Sequence, residues 1–417
     1  MDSGLLHPDE ALNLVVRAGR SAHDPSAVER IDLRAALGRT ISTPVFASVD
    51  QPPFDKSAMD GFAWSAHESV HGFVRNSPDS VFRVVDTIAA GEGRETPTGE
   101  GEVVRIMTGA PIPPGANAVQ RVEWTENAGR AGDGVELVRF TARETISNVI
   151  RRGENQKAGE LLLGPRILHP QDIGLLASSG YAYVDAALRP KVGIVSTGDE
   201  LAAPGSPLGP FHIYDSNGPA LCAQAQDSGC DVRFYGAFPD DEPALTEALG
   251  KALGENDVVL VSGGVSMGEF DFVPKILADL GVRRVFHRVA MRPGKPTWFG
   301  TRGGKAVFGL PGNPVSTFVN FEFLVKAHLA ARMGIERHVP TLRAKLAVPL
   351  ARKGSDRVEF LPAVFENDET GLAVRPLRYH GSSMLSVLAE AQGLLRMEIG
   401  TERIEAGGIV DVRLVRA

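Results

Sequence analysis

Apolar positions along this 417-residue chain fall into three textures. From about Thr43 to Ile150 they come in short bursts, such as Phe82–Val85, Glu102–Ile106 and Val135–Val138, separated by Gly, Pro and Asn turns. That spacing predicts a β-rich module. Between Lys191 and about Glu336, apolar runs alternate with helical stretches at Gly218–Ser228, Glu242–Leu253 and Pro314–Met333, the order expected of a doubly wound α/β sheet. From about Val339 onward strand patterns return at Leu342–Val348, Val358–Val364, Leu372–Pro376 and Ile409–Val415, and predict a small barrel or sandwich. Runs such as Val258-Val259-Leu260-Val261 lack polar alternation, so they suit parallel strands covered on both faces.

Three of the apolar runs break off into glycine-rich loops: KVGIVSTGDEL (191–201), VVLVSGGVSMGEFD (258–271) and VFGLPGNPVSTF (307–318). Ligands of open α/β sheets bind at the carboxyl ends of the strands, so these loops mark the expected site. In the third, Pro311-Gly312 makes a turn, Asn313 is a good N-cap and Pro314 suits the first helical position. The free N–H groups of such an end favour an anion, although a helix has to start somewhere in any case. The second loop, Ser262-Gly263-Gly264-Val265-Ser266-Met267-Gly268, offers close backbone approach and hydroxyls for an oxyanion, without matching the dinucleotide fingerprint or the P-loop. Acidic residues crowd the same edge: Asp199, Glu200, Asp215, Asp240, Asp241, Glu269 and Asp271. Beside a phosphate they would repel the ligand unless a cation lies between, and with no His or Cys cluster that cation is expected to be a hard oxygen-binder such as Mg²⁺. A metal-bridged phosphate or pyrophosphate is the ligand class implied. At least one of Asp240 and Asp241 is expected to cap the helix at Glu242.

An apolar fraction of 43% and a charged fraction of 23% are ordinary for a soluble globular protein, and the length implies two to four domains. The formal charge of −7, with no long run of Lys or Arg, argues against nucleic acid as the main partner, so any anion has to be bound locally. Lys275, Arg288, Arg292 and Lys295 lie near the loops, and MRPGKPTWF holds Arg292 and Lys295 between prolines and a glycine. No run approaches the length of a membrane span, and the acidic, amphipathic start MDSGLLHPDEALNLVV is unlike a signal peptide, which predicts a cytoplasmic protein with no membrane partner. Cys222 and Cys230 sit in no metal-binding or redox motif and read as ordinary buried thiols.

Further upstream, QPPFDKSAMDGFAW (51–64), RIMTGAPIPPGANAV (105–119) and NVIRRGENQKAGE (148–160) crowd charged groups among prolines and glycines, and display Thr108, Arg151, Arg152 and Glu154. Taken in order, PPFDKSAMDG, RIMTGAPIPPGA, NVIRRGEN, STGDEL, IYDSNGPAL, SGGVSMGEFD, RPGKP and LPGNPVS span most of the chain. This series resembles the MoeA family of molybdopterin molybdenumtransferases, related to the gephyrin E domain. The resemblance implies an elongated protomer of four domains: a MogA-like doubly wound α/β catalytic domain (1–23 and 191–336), a β-rich insert (46–150), a small linking domain (24–45 and 151–190) and a C-terminal β-barrel (337–417). It also implies a homodimer in which the insert of one chain helps close the cleft of the other.

The activity implied is the Mg²⁺-dependent insertion of molybdate into adenylylated molybdopterin, with release of AMP and active molybdenum cofactor, and a molybdopterin adenylyltransferase is a candidate protein partner. By motif match, Glu200, Asp241 and Asp271 are the acidic, metal-holding cleft residues, Asp60 and Thr108 the functional positions of the insert, and Pro311 and Pro314 the helix-start pair. Ser196, Thr197, Gly198, Asp215, Ser262, Gly263, Gly264, Gly312 and Asn313 are expected to hold nucleotide and pyrophosphate. Ser266, Lys275, Arg292 and Lys295 are expected to supply donors to the oxyanion or the phosphates.

Two departures from the family pattern stand out. Asn155 follows Gly153-Glu154 where the family usually has an aspartate, which removes a charge-assisted contact and predicts reduced or altered activity on an unchanged fold. Asn117 and Gln120 stand where an aspartate and an apolar residue are expected. Two rival readings stay open: a molybdopterin adenylyltransferase, and a catalytically impaired paralogue or scaffold of the same fold. The insert and barrel weigh against the first, and Glu200, Asp241, Asp271, Asp60 and Thr108 against the second.

Overall fold

The computed structural model describes residues 5–66, 68–69, 72–73, 80–93, 95–142, 144–265, 272–336, 341–368 and 371–415. They gather into two compact units, one comprising Met1–Thr43, Pro165–Leu168 and Val184–Ala417, the other Pro44–Gly164 and His169–Tyr183.

The first unit begins with helix α1 (Pro8–Ser21), started by proline at its first turn and by His7, whose side chain accepts the Asp9 N–H. Its buried Ala11 and Val15 join the large core of this unit. The second unit is built on strands β1 (Gly61–Trp64), β2 (Val81–Ile88), β3 (Glu102–Ile106), β4 (Ala118–Arg121), β5 (Thr125–Arg130) and β6 (Glu136–Phe140), in the sheet order β4-β1-β3-β2-β6-β5. The strand alternation sends Phe62, Trp64 and Val103 into one apolar cluster and Ala63, Val104 and Ile106 into another, so both faces of the sheet are used. The expected strands near Phe82, Glu102 and Val138 are present. Strands β1 and β4 were hidden by their setting, since each is only four residues long and follows a proline- and glycine-rich turn.

The chain then lays down β7 (Lys191–Thr197), α2 (Asn217–Asp227), β8 (Asp231–Phe238), α3 (Glu242–Glu255), β9 (Val258–Ser262), α4 (Val273–Asp279), β10 (Arg283–His287), β11 (Met291–Arg292), β12 (Trp298–Arg302) and β13 (Lys305–Leu310). Strands β8, β7, β9 and β13 are parallel neighbours in that order. Along β9, Val258 and Leu260 enter one core cluster while Val259 and Val261 enter another, which is why the run carries no polar alternation. The sheet is mixed rather than wholly parallel, because β12 and β10 complete it antiparallel. The reversal comes at Gly303-Gly304, whose positive φ values of 52° and 79° suit a two-residue hairpin turn that disfavours residues with a side chain.

After β13, helix α5 (Pro314–Asn320) runs through a π turn (Phe321–Val325) into α6 (Lys326–Arg332). Strands β14 (Thr341–Leu346), β15 (Val358–Asp368), β16 (Gly371–Pro376), β17 (Gly393–Met397) and β18 (Ile409–Leu414) follow. Because β15 pairs with both β16 and β17, the series β15-β16-β14-β18-β17 closes on itself as a barrel, around Ala344, Leu346, Val374, Leu395 and Val412. The short strand β11 adds to β15 in parallel and sets Arg292 opposite Glu359.

Among the described residues, no helix is long and apolar enough to cross a membrane. Both cysteines are free, and burial pushes the Cys230 thiol up to about 12, in keeping with an inert core residue.

Candidate functional site

Strands β7, β9 and β13 end side by side, and the loops that leave them line a cleft of about 680 Å³. Of the residues expected there, Thr197, Gly198, Glu200, Asp215, Ser262, Gly263, Gly264, Pro311, Gly312, Asn313 and Pro314 line it. Ser196 does not; it is fully buried within β7. Ser266 and Asp271 lie outside the described residues.

The acidic pair before α3 divides its tasks. Asp241 is the N-cap of α3, its carboxylate accepting the Ala244 N–H at 3.0 Å, and it does not line the cleft. Asp240 does. Its Oδ1 accepts from the Thr197 hydroxyl at 2.5 Å, and its backbone N–H donates to Asp199 at 3.0 Å. Motif matching alone chose Asp241; a capping aspartate and a cleft-lining one cannot be told apart by residue type when they are adjacent. Lys275 is likewise set apart: its ammonium pairs with Glu242 at 2.6 Å on the helices α4 and α3, and it lines neither recess described here.

Backbone geometry explains the glycines. Gly263 adopts φ 95°, and a Cβ there would sit 2.2 Å from the Thr197 carbonyl oxygen, so β7 and the β9 loop approach as closely as backbones can. The β13 turn is closed by Thr317, whose hydroxyl donates to the Pro311 carbonyl. Asn313 occupies the N-cap position with extended backbone but makes no side-chain cap bond. Asp215, 3% exposed, accepts the Gly218 N–H through Oδ1 at 2.9 Å, while its Oδ2 has no partner among the described residues. Asn217, which the sequence reading passed over although it stands in the motif IYDSNGPAL, donates from Nδ2 to Ser262 Oγ at 2.8 Å and to the Gly312 carbonyl at 2.7 Å.

A groove of about 810 Å³ shares Pro296, Pro311 and Asn313 with the cleft and continues over the barrel. Its lining carries Arg292, Lys295, Arg352, Lys353, Arg357, Arg378 and His380 against the single acid Glu359. Arg352 is committed to structure, its guanidinium donating to the carbonyls of Thr401, Arg357 and Glu398 at 2.5–2.9 Å. Arg292, about half exposed, touches Glu359 through Nε at 3.4 Å. The barrel's part in this groove was not foreseen, since its basic residues are scattered over the sequence and only closure of the barrel assembles them.

The second unit holds Asp60 and Thr108 together: Asp60 Oδ1 accepts the Thr108 N–H at 2.7 Å and its hydroxyl at 2.8 Å. The backbone bond first, then the hydroxyl, holds the exposed Asp60 carboxyl below its ordinary range. Asn155 is exposed, and its backbone N–H donates to Gln51 at 2.9 Å. The other departures have structural work. Asn117 grips both the N–H and the carbonyl of Ala66, at 2.7 and 2.8 Å, and an aspartate could not make the second bond. Buried Gln120 donates to the carbonyls of Trp124 and Ala142.

Among the described residues no three His, Cys, Asp or Glu side chains form a metal-binding group. The cleft does offer hard oxygen donors in Glu200, Asp240 and the unpartnered Asp215 Oδ2. They form no group of three, so a divalent ion here would rest on one or two of them, with substrate phosphate and water completing its shell.

Comparison with known proteins identifies the family. The MoeA N-terminal region (domain I and II) matches residues 6–180, a probable molybdopterin binding domain matches residues 193–331, and the MoeA C-terminal region (domain IV) matches residues 343–415. The molybdopterin molybdenumtransferase of Staphylococcus epidermidis is 33% identical over 93% of the chain and 91% of its own length, and that of Staphylococcus aureus is 32% identical over the same shares. The crystal structure of the molybdopterin biosynthesis MoeA protein from Pyrococcus horikoshii OT3 superposes with a TM-score of 0.82 at 30% identity, covering 98% of this chain and all of that one.

Proposed function

The chain belongs to the MoeA family and is a molybdopterin molybdenumtransferase of molybdenum cofactor biosynthesis, and we propose that it inserts molybdate into adenylylated molybdopterin, releasing AMP and active cofactor. The observation that carries the finer reading is the continuity of two unlike recesses across Pro296, Pro311 and Asn313. One supplies glycine backbone, hydroxyls and carboxylates, the other guanidinium and ammonium groups.

In this reading the cleft holds the nucleotide and its pyrophosphate. Gly263 and Gly264 let the backbone approach the phosphates, and Ser262 supplies a hydroxyl. One or two of Glu200, Asp240 and Asp215 would hold Mg²⁺, which when bound would neutralise charge on the pyrophosphate. The groove receives molybdate through Arg292 and Lys295, because an oxyanion needs cationic or N–H donors. Asp60 and Thr108 reach the cleft of a partner chain in a homodimer, and the protein works in the cytoplasm. Positioning and electrostatics at the pyrophosphate supply most of the acceleration.

The test is to mix the pure chain with adenylylated molybdopterin and Mg²⁺ and measure AMP release with and without molybdate. Molybdate-dependent release is expected. Transfer of AMP from ATP onto molybdopterin instead would establish the adenylyltransferase alternative, and no release at all would favour an impaired paralogue.

A further inference from the structure

The loops that follow β7, β9 and β13 are separate in sequence, yet one side chain joins them. Asn217, at the start of α2, spends both N–H groups of its amide, one on Ser262 Oγ at 2.8 Å and one on the Gly312 carbonyl at 2.7 Å. The carbonyl can only accept, so the orientation of the amide is fixed, with nitrogen toward both partners. Ser262 is 2% exposed and lines the cleft. It therefore receives a bond on its oxygen and is left with a hydroxyl hydrogen that has no acceptor among the described residues. A buried hydroxyl with an unspent hydrogen is costly unless a ligand or water takes it.

We propose that Asn217 is a positioning residue: by occupying the acceptor side of Ser262 it makes that hydroxyl an obligate donor to the phosphate of the bound nucleotide, and by holding Gly312 it sets the β13 turn at matching distance. The inference rests on the reading of the cleft as a nucleotide pyrophosphate site. It has a chemical consequence that mere loop stability lacks. An aspartate at 217 has the same shape but accepts, so it would draw the Ser262 hydrogen to itself and turn a lone pair toward the phosphate. Selectivity for AMP over adenosine should then fall, because only AMP carries the group Ser262 serves.

The experiment is calorimetric titration of AMP and of adenosine, each with Mg²⁺, into the wild-type chain and into Asn217→Ala, Asn217→Asp, Ser262→Ala and the Asn217→Ala/Ser262→Ala pair. Asn217→Ala and Ser262→Ala are each expected to weaken AMP about tenfold and adenosine by less than about twofold, with the pair no worse than about twofold beyond either single variant. Asn217→Asp is expected to weaken AMP more than Asn217→Ala does. Additive losses of about a hundredfold in the pair, or equal losses for AMP and adenosine, would overturn the assignment while leaving the nucleotide cleft in place. A wild-type chain that binds neither ligand would overturn the cleft reading and this inference together. Ser262→Ala changes one buried hydroxyl and keeps the comparison decisive if either Asn217 variant fails to fold.

Discussion

Two recesses meet at one turn, and the charges in their linings are opposite. Among the described residues, the cleft beyond β7, β9 and β13 has no Lys or Arg in its lining and carries Glu200, Asp215 and Asp240, whereas the groove over the barrel carries six Lys and Arg residues and one acid. A carboxylate-lined cleft can hold a phosphate only through backbone N–H groups, hydroxyls and a cation brought in with the ligand. A guanidinium-lined groove needs no such companion. The difference would suit a reaction with two anionic reactants, since the carboxylate-lined cleft disfavours an anion that brings no cation with it.

The largest effect expected is at the point where the cleft depends on bare backbone. Gly263→Ala places a methyl 2.2 Å from the Thr197 carbonyl at a φ of 95°, which should cost about 2–4 kcal/mol of stability and more than a hundredfold in AMP release. At Gly312 a Cβ would meet nothing nearer than 3.9 Å, so Gly312→Ala should stay within about twofold of wild type in rate and about 0.5 kcal/mol in stability. Thermal unfolding and an AMP-release assay read both. Equal losses at the two glycines would show that the cleft does not rely on the close approach at Gly263.

Next comes a pair of substitutions on either side of the shared turn. Arg292→Ala and Lys295→Ala should each raise the molybdate KM about tenfold and leave AMP affinity alone. Asp240→Asn should do the reverse, cutting AMP release about 10–100-fold and raising the Mg²⁺ requirement, with molybdate KM unchanged. Asp241→Ala sharpens the contrast: losing an N-cap should cost about 1 kcal/mol of stability with kcat nearly intact. If Asp241→Ala abolished turnover in a folded protein, the division of labour between the two aspartates would be wrong.

Below these lies a foundation common to both recesses. His328, wholly buried in α6 with its Nδ1 2.9 Å from the Val15 carbonyl, has its pKa lowered to about 4, chiefly by burial. The folded value is depressed below the unfolded 6.5, so as pH falls the unfolded chain takes up the proton first. The stability contribution is complete above about pH 6.5 and is lost at roughly 1.4 kcal/mol per pH unit down to about pH 4. At pH 6 the loss is under about 1 kcal/mol. Urea melts across that window should show it, and His328→Phe should flatten this part of the profile. Both recesses should lose their ligands together, because α6 continues the helix that starts at the shared turn.

Much of the α/β unit was legible because its signals are local. A run of four apolar residues bounded by glycines gave β9, and the Asn313-Pro314 pair gave the start of α5. What stayed hidden was either pairwise or distributed. Asp240 and Asp241 have the same chemistry one residue apart, and only the cap geometry separates them. The antiparallel β10 and β12, RRVFH and WFGTR, were not singled out, because neither has the unbroken apolar run that marks β9. The basic groove draws on Arg292 and Arg378, which no local pattern links, and the pairing of β15 with both β16 and β17 is what brings the barrel round to them.

The smallest effect expected concerns Asn155, where the family resemblance led to the expectation of an aspartate. Asn155 is exposed and gives the fold only its backbone N–H, bonded to Gln51. The nearby acids are already engaged, Asp55 with Arg151 and with the Arg152 N–H at 2.8 Å, and Asp50 with the Arg152 guanidinium and the Ala158 N–H. Their carboxyls are held below the ordinary range chiefly by the backbone bonds from Arg152 and Ala158 respectively. A carboxylate at 155 would thus add to this loop an acid not engaged by Arg151, Arg152 or Ala158. Asn155→Asp should leave the unfolding midpoint unchanged, as an exposed substitution with no buried partner does, and raise molybdate-dependent AMP release by about two- to fivefold. An unchanged rate in a protein of unchanged stability would mean that the amide already serves this position, and that the contrast between recesses, rather than this loop, sets the activity.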